Sequence, residues 1–79
     1  MNMDPGTWSA RVATAIRAEM SAQHRTFADL AGALGVTERT VATRLSGATP
    51  FNLVELERVS AWLGLATSEL VARADRHPA

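Results

Sequence analysis

Residues 26–47, TFADLAGALGVTERTVATRLSG, decide how the rest of the chain is read. Phe27, Leu30, Ala31 and Leu34 recur at helical spacing, and after a short break Val41 and Leu45 mark one face of a second helix. Between them stand Gly35, Val36 and Thr37. Glycine can take the left-handed conformation that ends a helix, valine is apolar enough to plug the angle between two helices, and threonine can cap the next helix by accepting from a free backbone N–H. The spacing predicts one helix over Phe27–Leu34 and another from just after Thr37 to Leu45 or Ser46, with Gly47 as its terminator. Two helices joined in this way form a helix-turn-helix.

On the N-terminal side, Thr26 with Asp29 three residues on is close to a capping box. Ala22 to Arg25 then links back to a first helix, expected from about Thr7 to Ser21, whose apolar stripe is Trp8, Val12, Ile16 and Met20. Arg11, Arg17 and Glu19 fall off that stripe. Before it, residues 1–6 read as a loose arm, because Asp4-Pro5-Gly6 is turn chemistry.

On the C-terminal side, Pro50 forbids a continuing helix and Asn52 opens the next one, with Glu55 as the reciprocal cap and a staple between Phe51 and Leu56. Leu53, Leu56, Val59, Ser60 and Leu63 are its expected buried face, up to Gly64. A last helix starts near Thr67 or Ser68, carries Leu70 and Val71, and frays at Arg73, Asp75 and Arg76 into a tail at 77–79. The expected fold is all-α, a single five-helix domain over residues 7–76 with neither a strand signal nor an internal repeat.

Composition narrows the function classes. A 79-residue chain has room for one small core, since at this size only roughly 60% of the unfolded surface is buried. No apolar run suggests a membrane span or a secretory signal, which favours the cytoplasm. There is no cysteine, so neither a disulfide framework nor thiolate metal chemistry is expected. His24 falls in a linker and His77 in the tail, without metal-ligand spacing, and no glycine-rich phosphate loop occurs. The expectation is a non-enzyme with no cofactor and no metal.

The formal net charge is zero, which is low for a domain that binds nucleic acid. All the basic residues are arginine, at positions 11, 17, 25, 39, 44, 58, 73 and 76. Arginine suits bidentate contacts to phosphate and guanine, although a GC-rich genome would leave the same lysine-free composition.

With the order of elements in view, residues from about Trp8 to Ala72 resemble the lambda-repressor-like, Cro/XRE-type helix-turn-helix family of phage and bacterial regulators. The resemblance is carried by Ala31, Gly35, Val36 and Val41, then by RLSG at 44–47, TPFNLVEL at 49–56 and WLGL at 62–65. It implies a compact five-helix bundle with the helix-turn-helix at the second and third helices. It further implies a cytoplasmic regulator that occupies double-stranded DNA at a promoter or operator with its third helix in the major groove, with repression as the plainest outcome. Two positions depart from the family. Phe27 stands where many members have a phosphate-contacting glutamine, and it is expected to be buried or half-buried, the alternative being the sugar-phosphate edge. Arg44 replaces an apolar residue and is expected to lay its stem on the core and send its guanidinium to phosphate or to a carboxylate.

Helical geometry sorts the third helix by itself. At about 100° per residue, Val41 and Leu45 define the inward side, which leaves Arg39 and Thr43 outermost and Glu38 on the exposed first turn. These three are the candidate base readers: Arg39 for guanine, Glu38 for cytosine N4, Thr43 for a thymine methyl. Candidate phosphate contacts are Arg25, Thr26, Thr37, Thr40, Arg44, Ser46 and Thr49. One such helix reads few base pairs, so a homodimer is expected, at least on DNA. Trp62, Leu65, Leu70 and Val71 are its candidate surface, with a place over the first helix near Trp8 as the alternative for Trp62. The competing functional reading is a protein-interaction module on the same scaffold, such as an antitoxin or a modulator of another transcription protein, and the neutral charge is its main support.

Overall fold

The computed structural model describes residues 5–76 and forms five helices, with no strand among the described residues. They are α1 (Pro5–Ala22), α2 (Phe27–Leu34), α3 (Glu38–Leu45), α4 (Leu53–Leu63) and α5 (Thr67–Arg76). Pro5 and Gly6, expected in the arm, instead open α1, a position that suits proline because the first N–H groups of a helix have no intrahelical partner. The rest of the expected arm and the tail at 77–79 lie outside the described residues.

The short helices begin and end where local chemistry says they should. Thr26 and Asp29 form a reciprocal capping box at the start of α2, and Asn52 and Glu55 repeat it at α4. Thr37 caps α3 by accepting from the Thr40 N–H at 3.1 Å. Gly35 and Gly64 end α2 and α4 in the left-handed conformation, where an L side chain would be strained. Phe51 is buried beside Leu56, and the two line a pocket of about 150 Å³ with Trp8, Ser9, Val12 and Pro50, as a staple requires.

All five helices contribute to one core: Ile16, Leu30, Val41, Leu45, Val59 and Leu70 are fully buried in it. α1 touches α3, α4 and α5, which is why Ser9, Ala13 and Ala15 are buried beyond the stripe of Val12, Ile16 and Met20. α2 packs on α3 and α4, whereas α3 and α4 do not pack on each other.

Two expectations about faces are corrected. Leu53, assigned to the buried face of α4, is 70% exposed, and Val54 beside it is 55% exposed. Leu53 aligns at about 100° per residue with Ser60, on the edge of the arc that Val59 and Leu63 bury, and the first turn of α4 is left uncovered there. At the other end of the chain α5 does not fray after Val71: it continues to Arg76, with Ala74 wholly buried and Arg73 paired with Glu19 of α1.

Candidate nucleic-acid interface

α3 is anchored by two side chains and shows the rest. Val41 and Leu45 have no appreciable exposure, while Glu38, Arg39, Ala42 and Thr43 are exposed and Thr40 is half-buried. The inward and outward sides are therefore those that the 100° rule assigned. Among the described residues neither Glu38 nor Arg39 makes a salt bridge, so an acceptor-only and a donor-only group stand free on the first turn of one helix.

The C-terminal end of α3 is held from α1, which spacing along the chain did not suggest. Arg17 donates through Nη1 to the Leu45 carbonyl, and the Ser9 hydroxyl donates to the Gly47 carbonyl at 3.2 Å. The first satisfies a carbonyl that the helix end leaves without a partner, and the second ties the turn just after α3 to α1. Arg17 carries no local signal of this role, because its acceptor lies 28 residues away in sequence.

The candidate phosphate contacts divide by what their polar atoms already do. Thr37 donates its hydroxyl proton to Thr40 Oγ1, and Ser46 donates to the Thr43 carbonyl at 2.8 Å. Thr43 itself donates to the Arg39 carbonyl at 3.0 Å, which leaves its methyl as the outward chemistry. Thr40 accepts, and its own O–H has no acceptor among the described residues, while Thr49 is half-buried in the connection to α4. Thr26 is committed to its capping box, where its backbone N–H and then its hydroxyl hold the Asp29 carboxyl below its ordinary pKa.

The arginines are mostly engaged. Arg44 directs Nε to Glu55 at 3.1 Å and Nη2 to the same carboxylate at 3.4 Å, so of the two expected destinations it takes the carboxylate and not a phosphate. Partial burial pushes the Glu55 carboxyl up, but the Arg44 guanidinium and the Asn52 N–H outweigh it and hold the pKa below its ordinary value. Arg25 lies over the Trp62 ring, 4.4 Å from its centroid, a cation–π contact that joins the start of α2 to the end of α4. Phe27 is 42% exposed and not buried as expected; with Arg17, Met20, Ser21 and Arg25 it lines an open cleft of about 320 Å³.

The candidate dimer surface is corrected as well. Leu70 is completely buried inside its own protomer and has nothing to offer a partner. Trp62 and Leu65 are half-buried against the same core, and Val71 is half-buried on α5. Trp62 does not cover the region of Trp8. It sits under Arg25, beyond the C-terminal end of α1, whereas Trp8 lies near the N-terminal end beside Phe51. Among the described residues the large exposed hydrophobics are instead Phe27 and Leu53, which spacing had placed wholly or partly inside, and Val54, which it had not assigned to a face. Compared with protein families, with curated proteins and with solved structures, the chain matches none.

Proposed function

We propose that this chain is a sequence-specific double-stranded-DNA-binding transcription regulator of the helix-turn-helix kind, placing α3 in the major groove and acting by occupying a promoter or operator. The observation that carries the reading is the outer face of α3. Arg39 and Glu38 stand exposed, without a salt bridge among the described residues, on a short, capped helix whose opposite face is locked by Val41 and Leu45. A rigid helix that presents free hydrogen-bonding groups on its first turn is what direct readout of base edges needs. Arg39 supplies a bidentate donor for guanine, Glu38 an acceptor for cytosine N4, and Thr43 a methyl for thymine. Thr40 and the free N–H groups at the start of α3 supply phosphate contacts.

A second reading has its own support. Net charge is zero, and Arg11, Arg17, Arg25, Arg44 and Arg73 are already engaged inside the protein. That leaves a thin electrostatic footprint for a polyanion and suits a module that binds another protein.

One experiment separates the two. Selection of bound sites from random duplex DNA, followed by anisotropy titrations at several salt concentrations, is expected to enrich a short sequence whose affinity falls with salt. Two copies per duplex on half-sites about one helical turn apart are the expected stoichiometry. No enrichment and salt-indifferent binding would overturn the regulator and leave the protein-binding module.

A further inference from the structure

We propose that two copies of this chain associate through the outer face of α4, with the two helices parallel about a two-fold axis. The residues on that face are Leu53, Val54, Glu57, Arg58 and Ala61, all exposed. At about 100° per residue they fall in one stripe whose centre lies opposite Val59 and Leu63, with Leu53 at the edge beside Ser60. Leu53 and Glu57 form one edge, Val54 and Arg58 the other, and Ala61 lies near the middle. Exposed leucine and valine side by side are unusual on a surface, and here they continue directly into a carboxylate and a guanidinium that make no salt bridge among the described residues.

The charges choose both the partner and its direction. A two-fold axis perpendicular to α4 makes the helices antiparallel and sets each edge against itself, so that Glu57 faces the Leu53/Glu57 edge and Arg58 the Val54/Arg58 edge of the second copy, and neither charge faces its opposite. An axis running along α4 makes them parallel and sets each edge against the other. Leu53 then packs on Val54 of the second copy, and Glu57 pairs with Arg58 twice, one helical turn further on. Ala61 meets its own symmetry mate, where a methyl side chain lets the helices approach. The stripe thus complements a copy of itself in charge and in apolar contact.

Five residues on one helix cover far less than the roughly 800 Å² per partner of a stable complex, so this association is weak in solution. The face is separate from the outer side of α3, since α3 meets α4 only through the Arg44–Glu55 pair, in which Glu55 lies outside the stripe, and both can be occupied together.

Disulfide trapping reads a weak contact of this kind, and the chain has no cysteine of its own. Ala61→Cys, oxidised with diamide in the absence of DNA, is expected to form a disulfide dimer. The same residue in an A61C/E57R or A61C/R58E background is expected to form several-fold less, and in A61C/E57R/R58E, where both charges are exchanged, to recover. Ala72→Cys, exposed on α5, is the control for association at the C-terminal end. Trapping through Ala72→Cys alone, equal trapping through both, trapping by neither, or indifference of the Ala61→Cys dimer to the charge reversals would each overturn the proposal. All the substituted positions are exposed, and circular dichroism checks that the variants keep the fold. Because no DNA is present, the outcome is independent of whether the chain reads DNA.

Discussion

Arg39 and Arg44 lie five residues apart on α3 and have opposite surroundings. Arg39 is solvent-facing, with no partner for its guanidinium among the described residues, so Arg39→Ala should leave the urea midpoint unchanged and remove about 1–3 kcal/mol of discrimination between a selected site and scrambled DNA. A variant that still separates the two sequences as well as the parent does would refute its role. Arg44 binds the half-buried Glu55, and its loss strands that carboxylate. Bonds to charged groups contribute about 1.5–3 kcal/mol when buried, and the solvent that this pair still sees reduces the expected cost of Arg44→Ala to about 1 kcal/mol. The prediction reverses the role that the position suggests in sequence: stability falls while the salt slope of DNA binding stays. Weaker DNA binding at an unchanged urea midpoint would restore the phosphate contact. Gly47 and Gly35 give a matched comparison. Both are left-handed, but a Cβ on Gly47 would meet the Ala10 Cα at 3.1 Å, whereas one on Gly35 meets nothing within 4 Å. Gly35→Ala should cost about 1–2 kcal/mol for its conformation alone, and Gly47→Ala measurably more, because a backbone atom of α1 has to move.

At the scale of the helices, what the sequence discloses is whatever is settled within one turn. The Thr26/Asp29 and Asn52/Glu55 boxes, the Thr37 cap and the Gly35 and Gly64 ends are contacts between residues a few positions apart, and every one can be read from the chain. Faces are settled by neighbours far away in sequence, and there periodicity fails at the margins. Leu53 fits the α4 stripe, yet it lies on the edge of the arc where nothing covers the helix, and Phe27 fits the α2 stripe but opens onto a cleft. Conversely, the polar Ser9 and Arg17 hold the end of α3, and neither has a local signal. The boxes also set a pH dependence. Asp29 and Glu55 both have folded-state pKa values below their ordinary ones, so each contributes stability that is present above the unfolded value, about 4, and is lost as pH falls through the lower folded value. The thermal midpoint should therefore hold steady from neutrality to about pH 5 and drop below about pH 4. Asn52→Ala, which removes one partner of the α4 box, should lower the midpoint at neutral pH and flatten the acid limb. An acid limb of unchanged steepness in that variant would show that the box does not set it.

At the scale of the whole molecule the question is whether so small a bundle comes apart in one step or sheds α5 first. α5 follows the other elements in sequence and packs mainly on α1, with Glu19–Arg73 and Arg11–Asp75 across the seam, an arrangement that could open like a clasp. Its Leu70, however, is fully buried in the same cluster as Ile16, Leu30, Val41 and Val59, so removing α5 opens the core shared by every other helix. For a chain of this size total stability is on the order of 4–12 kcal/mol, and emptying a buried leucine site costs about 2–5. Leu70→Ala should thus consume a large share of the total and shift the urea midpoint of the entire domain. The two tryptophans make the mechanism visible. Trp8 reports the α1 contact with Phe51, and Trp62 reports the junction of α4 with Arg25, while neither lies on α5. If the core is indivisible, helix loss by circular dichroism and both fluorescence changes move together to lower urea in Leu70→Ala. If α5 is a separable clasp, ellipticity falls first and the tryptophan signals stay behind. The shared burial of Leu70 argues for the single transition, and single-tryptophan variants followed through urea in both backgrounds would decide it.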